Sequence, residues 1–160
     1  MCIRDRPEPD YQWERFLAAV QLVVERFDVR LTIGLNAIPM AVPHTRPVGV
    51  IAHATSADLV ADYPSWIDRV QVPGSAGNLL EYRLGQAGHA AVGFAVHVPH
   101  YLAQATFPEA ALSLTRSINA ATGLAVPLEP LEKASASNLE DIAAEMQTSQ
   151  EVQELSLIHI

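Results

Sequence analysis

A chain of 160 residues, 49% of them hydrophobic, is long enough to bury one sizeable core and short enough to be one domain. Its formal charge of −8 excludes the nucleic-acid binders that work by neutralising phosphates, and its lone cysteine, Cys2, excludes an internal disulfide or a multi-thiolate metal site. No stretch of eighteen or more apolar residues is present to span a membrane, so the chain reads as soluble and cytoplasmic.

The two ends stand apart from the rest. Met1-Cys2-Ile3-Arg4-Asp5 and Leu155-Ser156-Leu157-Ile158-His159 can be encoded by DNA strings that are reverse complements apart from their outermost bases, as an adapter flanking an insert in opposite orientations would be. Residues 1–6 and 155–160 are therefore read as adapter-derived and kept out of the fold. Residues 7–126 are read as the middle and later part of one α/β domain, and residues 127–154 as a C-terminal helical tail.

Asp10 is the expected N-cap of a helix to about Phe27, with Trp13, Phe16, Leu17, Val20, Val23, Val24 and Phe27 at three- and four-residue spacings. Arg30 to Leu35 is short, apolar and β-branched, the pattern of a buried strand. A polar loop follows to Pro47, and Val48 to Ala54 predicts a second strand. Thr55 or Ser56 then caps a short helix stopped by Pro64. Beyond Trp66 to Val72, Ser75 is the natural cap of a helix through Gln86, with Gly88 as its C′ residue. Val92 to Val98 predicts a third strand, and Pro99-His100-Tyr101 opens a helical stretch interrupted at Pro108. Ala111, Leu112, Leu114 and Ile118 lie on a helix ended by Gly123, and the tail from Pro127 reads as a surface helix pair. Three apolar, β-rich runs thus break into polar bends, Leu31–Pro47, Val70–Gly77 and Gly93–Tyr101, which an open sheet would gather on one rim where ligands bind. A doubly wound sheet normally begins with a strand, so earlier strands are expected upstream of the first helix.

The segments Pro9-Asp-Tyr-Gln-Trp-Glu-Arg-Phe16, Gly34-Leu-Asn-Ala-Ile-Pro-Met-Ala-Val-Pro-His-Thr-Arg-Pro47 and Gly93-Phe-Ala-Val-His-Val-Pro-His-Tyr-Leu-Ala-Gln104 resemble the actinobacterial branch of the proteasome assembly chaperone 2 family. The resemblance implies a three-layer α/β/α sandwich around a mostly parallel sheet, similar to purine nucleoside phosphorylases and here incomplete at its N-terminus. It also implies a protein-binding role, since eukaryotic members pair to help assemble the proteasome core ring; some relatives carry an enzyme-like label, carboxylate-amine ligase. The family's usual Gly-Leu-Gly-Gly-Ile-Pro is here Gly34-Leu35-Asn36-Ala37-Ile38-Pro39, and losing two glycines argues against a phosphate-cradling loop.

Candidate chemistry sits in the bends. Asn36, His44, Thr45 and Arg46 carry hydrogen-bonding groups for an anionic or amide-bearing ligand, Arg46 through its bidentate fork; the bland reading is a proline turn with Arg46 on a carboxylate. Ser75 superficially matches a nucleophile elbow, but Pro73 stands where that turn needs glycine, so a capping serine is the better reading. His44, His53, His97 and His100 offer imidazoles for acid–base work, but no Glu or Asp stands at a metal-site spacing such as His-Glu-x-x-His, so no metal is expected. Tyr101 reads as a core or interface aromatic. The leading reading is a non-catalytic, cytoplasmic protein-binding module acting as a homo-oligomer on protein subunits related to the proteasome. It has no cofactor and neither a nucleic-acid nor a membrane partner. The rival is a small-molecule enzyme or sensor using a crevice bounded by Asn36, His44, Thr45, Arg46, Ser75, His97, His100 and Tyr101.

Overall fold

The computed structural model describes residues 9, 11–63 and 74–148. Their order is α1 (Trp13–Arg26), β1 (Thr32–Met40), β2 (Val50–Ala54), a 3₁₀ turn at Ala57–Val60, α2 (Ala76–Gln86), β3 (Ala91–Pro99), a second 3₁₀ turn at His100–Leu102, α3 (Pro108–Thr122) and α4 (Glu129–Thr148). The sheet runs β1-β3-β2, with β3 buried along its whole length, as its nearly unbroken apolar sequence requires of a central strand.

Two of the three strands share a direction. The Thr32 amide donates to the Ala90 carbonyl while Gly34 lies against Gly93, so β1 and β3 are parallel. The Thr55 amide donates to Ala91 at one end of β2 and the His97 amide to Gly49 at the other, so β2 runs against them. The expected mixed α/β architecture with a mostly parallel sheet is thus the one observed, with β2 as its reversed edge.

The chain divides into two compact units that share the strands, one comprising residues up to Gly34 with Ala52–Gly93, the other Leu35–Ile51 with the residues from Phe94 onward. In the first unit, Val24 of α1, Leu84 of α2 and Ala91 of β3 form the core, with Leu80 packed against it. Arg83 of α2 grips Glu14 of α1 through both Nε and a terminal nitrogen, at 3.2 and 2.5 Å. In the second unit, Val96 and Val98 of β3 pack with Phe107, Ala110 of α3 and Ile142 of α4. Ser135 donates to Glu109 at 2.5 Å, Arg116 pairs with Glu132 at 3.1 Å, and the Asn119 amide clamps both backbone groups of Val126 across the α3–α4 turn. Each fully buried Val, Leu or Phe in these cores contributes about 1.5–3 kcal/mol of transfer free energy.

Several local expectations give way to the structure. β1 does not stop at Leu35 but runs to Met40, because Ala37, Ile38 and Met40 continue the extended run, and among the described residues β1 is an outer strand, where Pro39 is tolerated without an N–H. Asn36 therefore stands on a strand, not in a loop. β2 starts at Val50, two residues late. The tail is not a helix pair as far as Thr148: Ala134 to Ser137 lies inside one continuous α4, where alanine is the best helix former and Ser135 finds Glu109. Gln12, in left-handed conformation with φ 60°, precedes α1 as its N-cap, and Asp28 just after the helix has φ 49°. Asp10, Pro64 and Trp66–Val72 lie outside the described residues. Gly88 and Gly123, both at positive φ, follow α2 and α3 as predicted.

Candidate functional site

In the second unit, two of the predicted bends meet at Tyr101. The chain leaves β1, turns at Pro43 and brings the His44 backbone N–H to the Tyr101 hydroxyl at 2.9 Å, while His44 Nδ1 lies 2.8 Å from the same oxygen. A hydroxyl has one hydrogen. The oxygen accepts from the amide; toward Nδ1 it donates when the His44 proton sits on Nε2 and accepts when Nδ1 carries it. Burial of His44 pushes its pKa below the ordinary imidazole value, favouring the neutral ring. The exposed His100 packs edge-on against Tyr101, the ring centres 5.4 Å apart. Tyr101 is thus a bracket fixing the geometry of two histidines.

The remaining predicted residues divide around this hub. Thr45 and Arg46 follow His44 on the same exposed turn, and among the described residues no carboxylate pairs with Arg46. Asn36 is exposed on β1. His97 is buried in β3 beside Gly49, where a Cβ on that glycine would come within 2.7 Å of its Nδ1; burial lowers its pKa. Ser75 belongs to the first unit, and its hydroxyl accepts the Asn78 amide at 3.1 Å, the N-cap role expected of it.

The first unit holds a second polar centre. Glu81 of α2 occupies a position between Leu80 and Leu84 on a helix face turned to the sheet, and its side chain is only 10% exposed. Its carboxylate meets His53 Nε2 of β2 at 2.5 Å. Beneath the pair, β1 and β3 present Gly34 and Gly93, and a Cβ at either would run into Glu81 or His53; the Gly93 Cβ would lie 2.8 Å from Glu81 Oε1. These glycines are needed for close approach. The hydrogen bond from His53 to Glu81 raises the imidazole's pKa above its ordinary value, desolvation opposes this, and the carboxylate's charge adds to the rise. No local spacing links Glu81 to His53, 28 residues away; the signal in the sequence is an acidic residue on an apolar helical stripe together with glycines inside two predicted strands. The four imidazoles therefore do not form one set, and among the described residues no group of three or more His, Cys, Asp or Glu side chains is placed to hold a metal.

Helices packed on a mostly parallel sheet, with polar side chains of two bends joined at Tyr101, define a layered α/β protein. The chain belongs to the PAC2 family, whose profile matches residues 1–147. It is similar to a Mycobacterium tuberculosis protein of unknown function, with 48% identity, a TM-score of 0.88 and coverage of 94% of this chain and 53% of that one. It is also similar to a Corynebacterium glutamicum protein of unknown function, at 41% identity and TM-score 0.86 over 94% of this chain and 56% of the other. A Mycobacterium tuberculosis proteasome-assembly chaperone homologue aligns at 27% identity and TM-score 0.82, covering 92% of this chain and 63% of its own. The chain thus spans little more than half the length of the first of these solved relatives. No curated protein matches it.

Proposed function

We propose that this chain is a non-catalytic protein-binding module of the assembly-chaperone class, acting on proteasome-related subunits as a cytoplasmic homo-oligomer. The observation that carries the reading is membership of the PAC2 family together with the likeness to the Mycobacterium tuberculosis proteasome-assembly chaperone homologue. The surface supports it: Phe16, Val23 and Phe27 of α1 and its C-terminal end are 43, 52 and 70% exposed and recur along one stripe of the helix, the kind of apolar patch that marks a protein contact. A client subunit held there would be shielded until its neighbours in the assembling ring cover it.

The test is reconstitution. The full chain is mixed with purified actinobacterial proteasome core subunits before assembly, and complexes are resolved by native mass spectrometry. The expected result is a chaperone–subunit complex that disappears once the ring is complete and is weakened at least tenfold by Phe16→Asp combined with Phe27→Asp. Absence of any complex at micromolar concentration refutes the reading.

One observation favours a second reading. The Tyr101 hydroxyl engages His44 through Nδ1 and leaves Nε2 out of that bond, and Arg46, two residues on, pairs with no carboxylate among the described residues; in the Nε2–H form this is a donor set suited to a small carboxylate or phosphate. Shifts of the His44 and His100 ring signals on adding millimolar phosphate or acetate, lost in Tyr101→Phe, would support it; unchanged signals would dismiss it.

A further inference from the structure

The first unit contains a polar contact between α2 and the sheet. We propose that His53 and Glu81 form a proton-operated latch that clamps α2 to the sheet when His53 is protonated and loosens it when the proton leaves.

Geometry carries the inference. Glu81 lies on the sheet-facing side of α2 with its side chain 10% exposed, and His53 Nε2, cationic when protonated, lies 2.5 Å from its carboxylate. The strands beneath supply Gly34 and Gly93, which leave room for the pair and bring no polar side chain of their own. A carboxylate so placed needs a compensating charge. His53 is the group able to supply and withdraw it, because its side chain is 50% exposed and can exchange its proton with water. Of the other charged groups on the packed helices, Arg83 of α2 pairs with Glu14 of α1 and His89 with Glu25 of α1 at 3.6 Å, while Arg15 and Arg26 of α1 are exposed. Among the described residues β3 contributes no acid or base to the first unit. The apolar anchors of α2, Leu80 and Leu84 against Val24 and Ala91, hold the helix near the sheet when the latch opens, so opening is a local event and not unfolding.

The direction follows from linkage. Glu81 raises the pKa of His53 in the folded chain, so the clamp is complete below the unfolded imidazole value of about 6.5 and is lost as pH rises through the folded value. The alkaline form leaves Glu81 beside a neutral imidazole, and α2 opens more often to hydrate it.

The test is amide hydrogen exchange of the full chain between pH 5.5 and 8.5, corrected for intrinsic exchange, comparing residues 76–86 with the amides of β3. Protection of α2 relative to β3 is expected to fall about three- to tenfold across that range in the native sequence. It is expected to be pH-independent in Glu81→Gln, which keeps the shape and removes the charge. Equal pH dependence in native chain and variant overturns the proposal, as does pH-independent protection in the native chain. Should Glu81→Gln not fold, the His53 ring is titrated by NMR in the native sequence. A midpoint above about 6.5 upholds the latch, and one at or below it overturns the latch.

Discussion

Gly93→Ala adds one methyl group at the most crowded point of the sheet. The new Cβ would sit 2.8 Å from Glu81 Oε1 and closer still to the His53 ring, and Gly93 is fully buried in the central strand, so the strand has nowhere to move. Overpacking of this kind costs about 1–3 kcal/mol. Displacing Glu81 from its partner adds a further cost of about 1–2 kcal/mol, below the range for a fully buried pair because half of His53 is in water. Against this, alanine loses less freedom on folding than glycine, returning about 0.4–1 kcal/mol. The net loss is about 1–4.5 kcal/mol, centred on ~3 kcal/mol, which at a slope of about 2 kcal/mol per molar lowers the urea midpoint by about 1.5 M. Urea unfolding followed by circular dichroism measures it. The double variant Gly93→Ala with His53→Ala should lose less than the sum of the two single changes, by about 1 kcal/mol, because the ring that clashes is gone. A Gly93→Ala protein as stable as the native chain, or strictly additive losses, would refute the close-approach argument.

Thermal unfolding against pH should show a maximum near pH 6.5. His53 has a raised folded pKa, so its contribution disappears as pH climbs above that value, whereas His44 and His97 have lowered pKa values from burial, so theirs disappears as pH drops below it; His53→Gln should flatten the alkaline limb alone. Tyr101→Phe should destabilise by about 1–2 kcal/mol in urea, the value of two hydrogen bonds to half-buried groups, and NMR should show the His44 Nδ1 environment change while His53 stays as it was. Ser75→Ala should cost about 1 kcal/mol through the lost N-cap and Ser75→Asp should restore most of it, as read from urea midpoints.

What the sequence discloses follows how local each signal is. α1, α3 and β3 are legible because Trp13 to Arg26 and Pro108 to Thr122 keep helical spacing and Ala91 to Pro99 is one apolar run, each a property of contiguous residues. Ser75 is legible for the same reason, since a cap acts three residues away. The end of β1 is not, because Pro39 signals a loop in isolation and is acceptable only where the strand lies at an edge, which is a fact of topology. The reversal of β2 is hidden likewise, in pairings between Gly49 and His97 and between Thr55 and Ala91. His44 and Tyr101 were both candidates, but their hydrogen bond spans 57 positions. The partnership of His53 with Glu81 was invisible, since it depends on two glycines from two further strands arriving beneath it.

Gln12 and Asp28 bracket α1 in left-handed backbone conformations that side chains other than glycine adopt at a cost of about 1–2 kcal/mol each. No side-chain cap at Gln12 offsets this, and only Leu17 and Val24 of the helix are fully sheltered. The buried seam through Leu17 and Val24, together with the Arg83 grip on Glu14, is what holds the helix in place against that backbone cost.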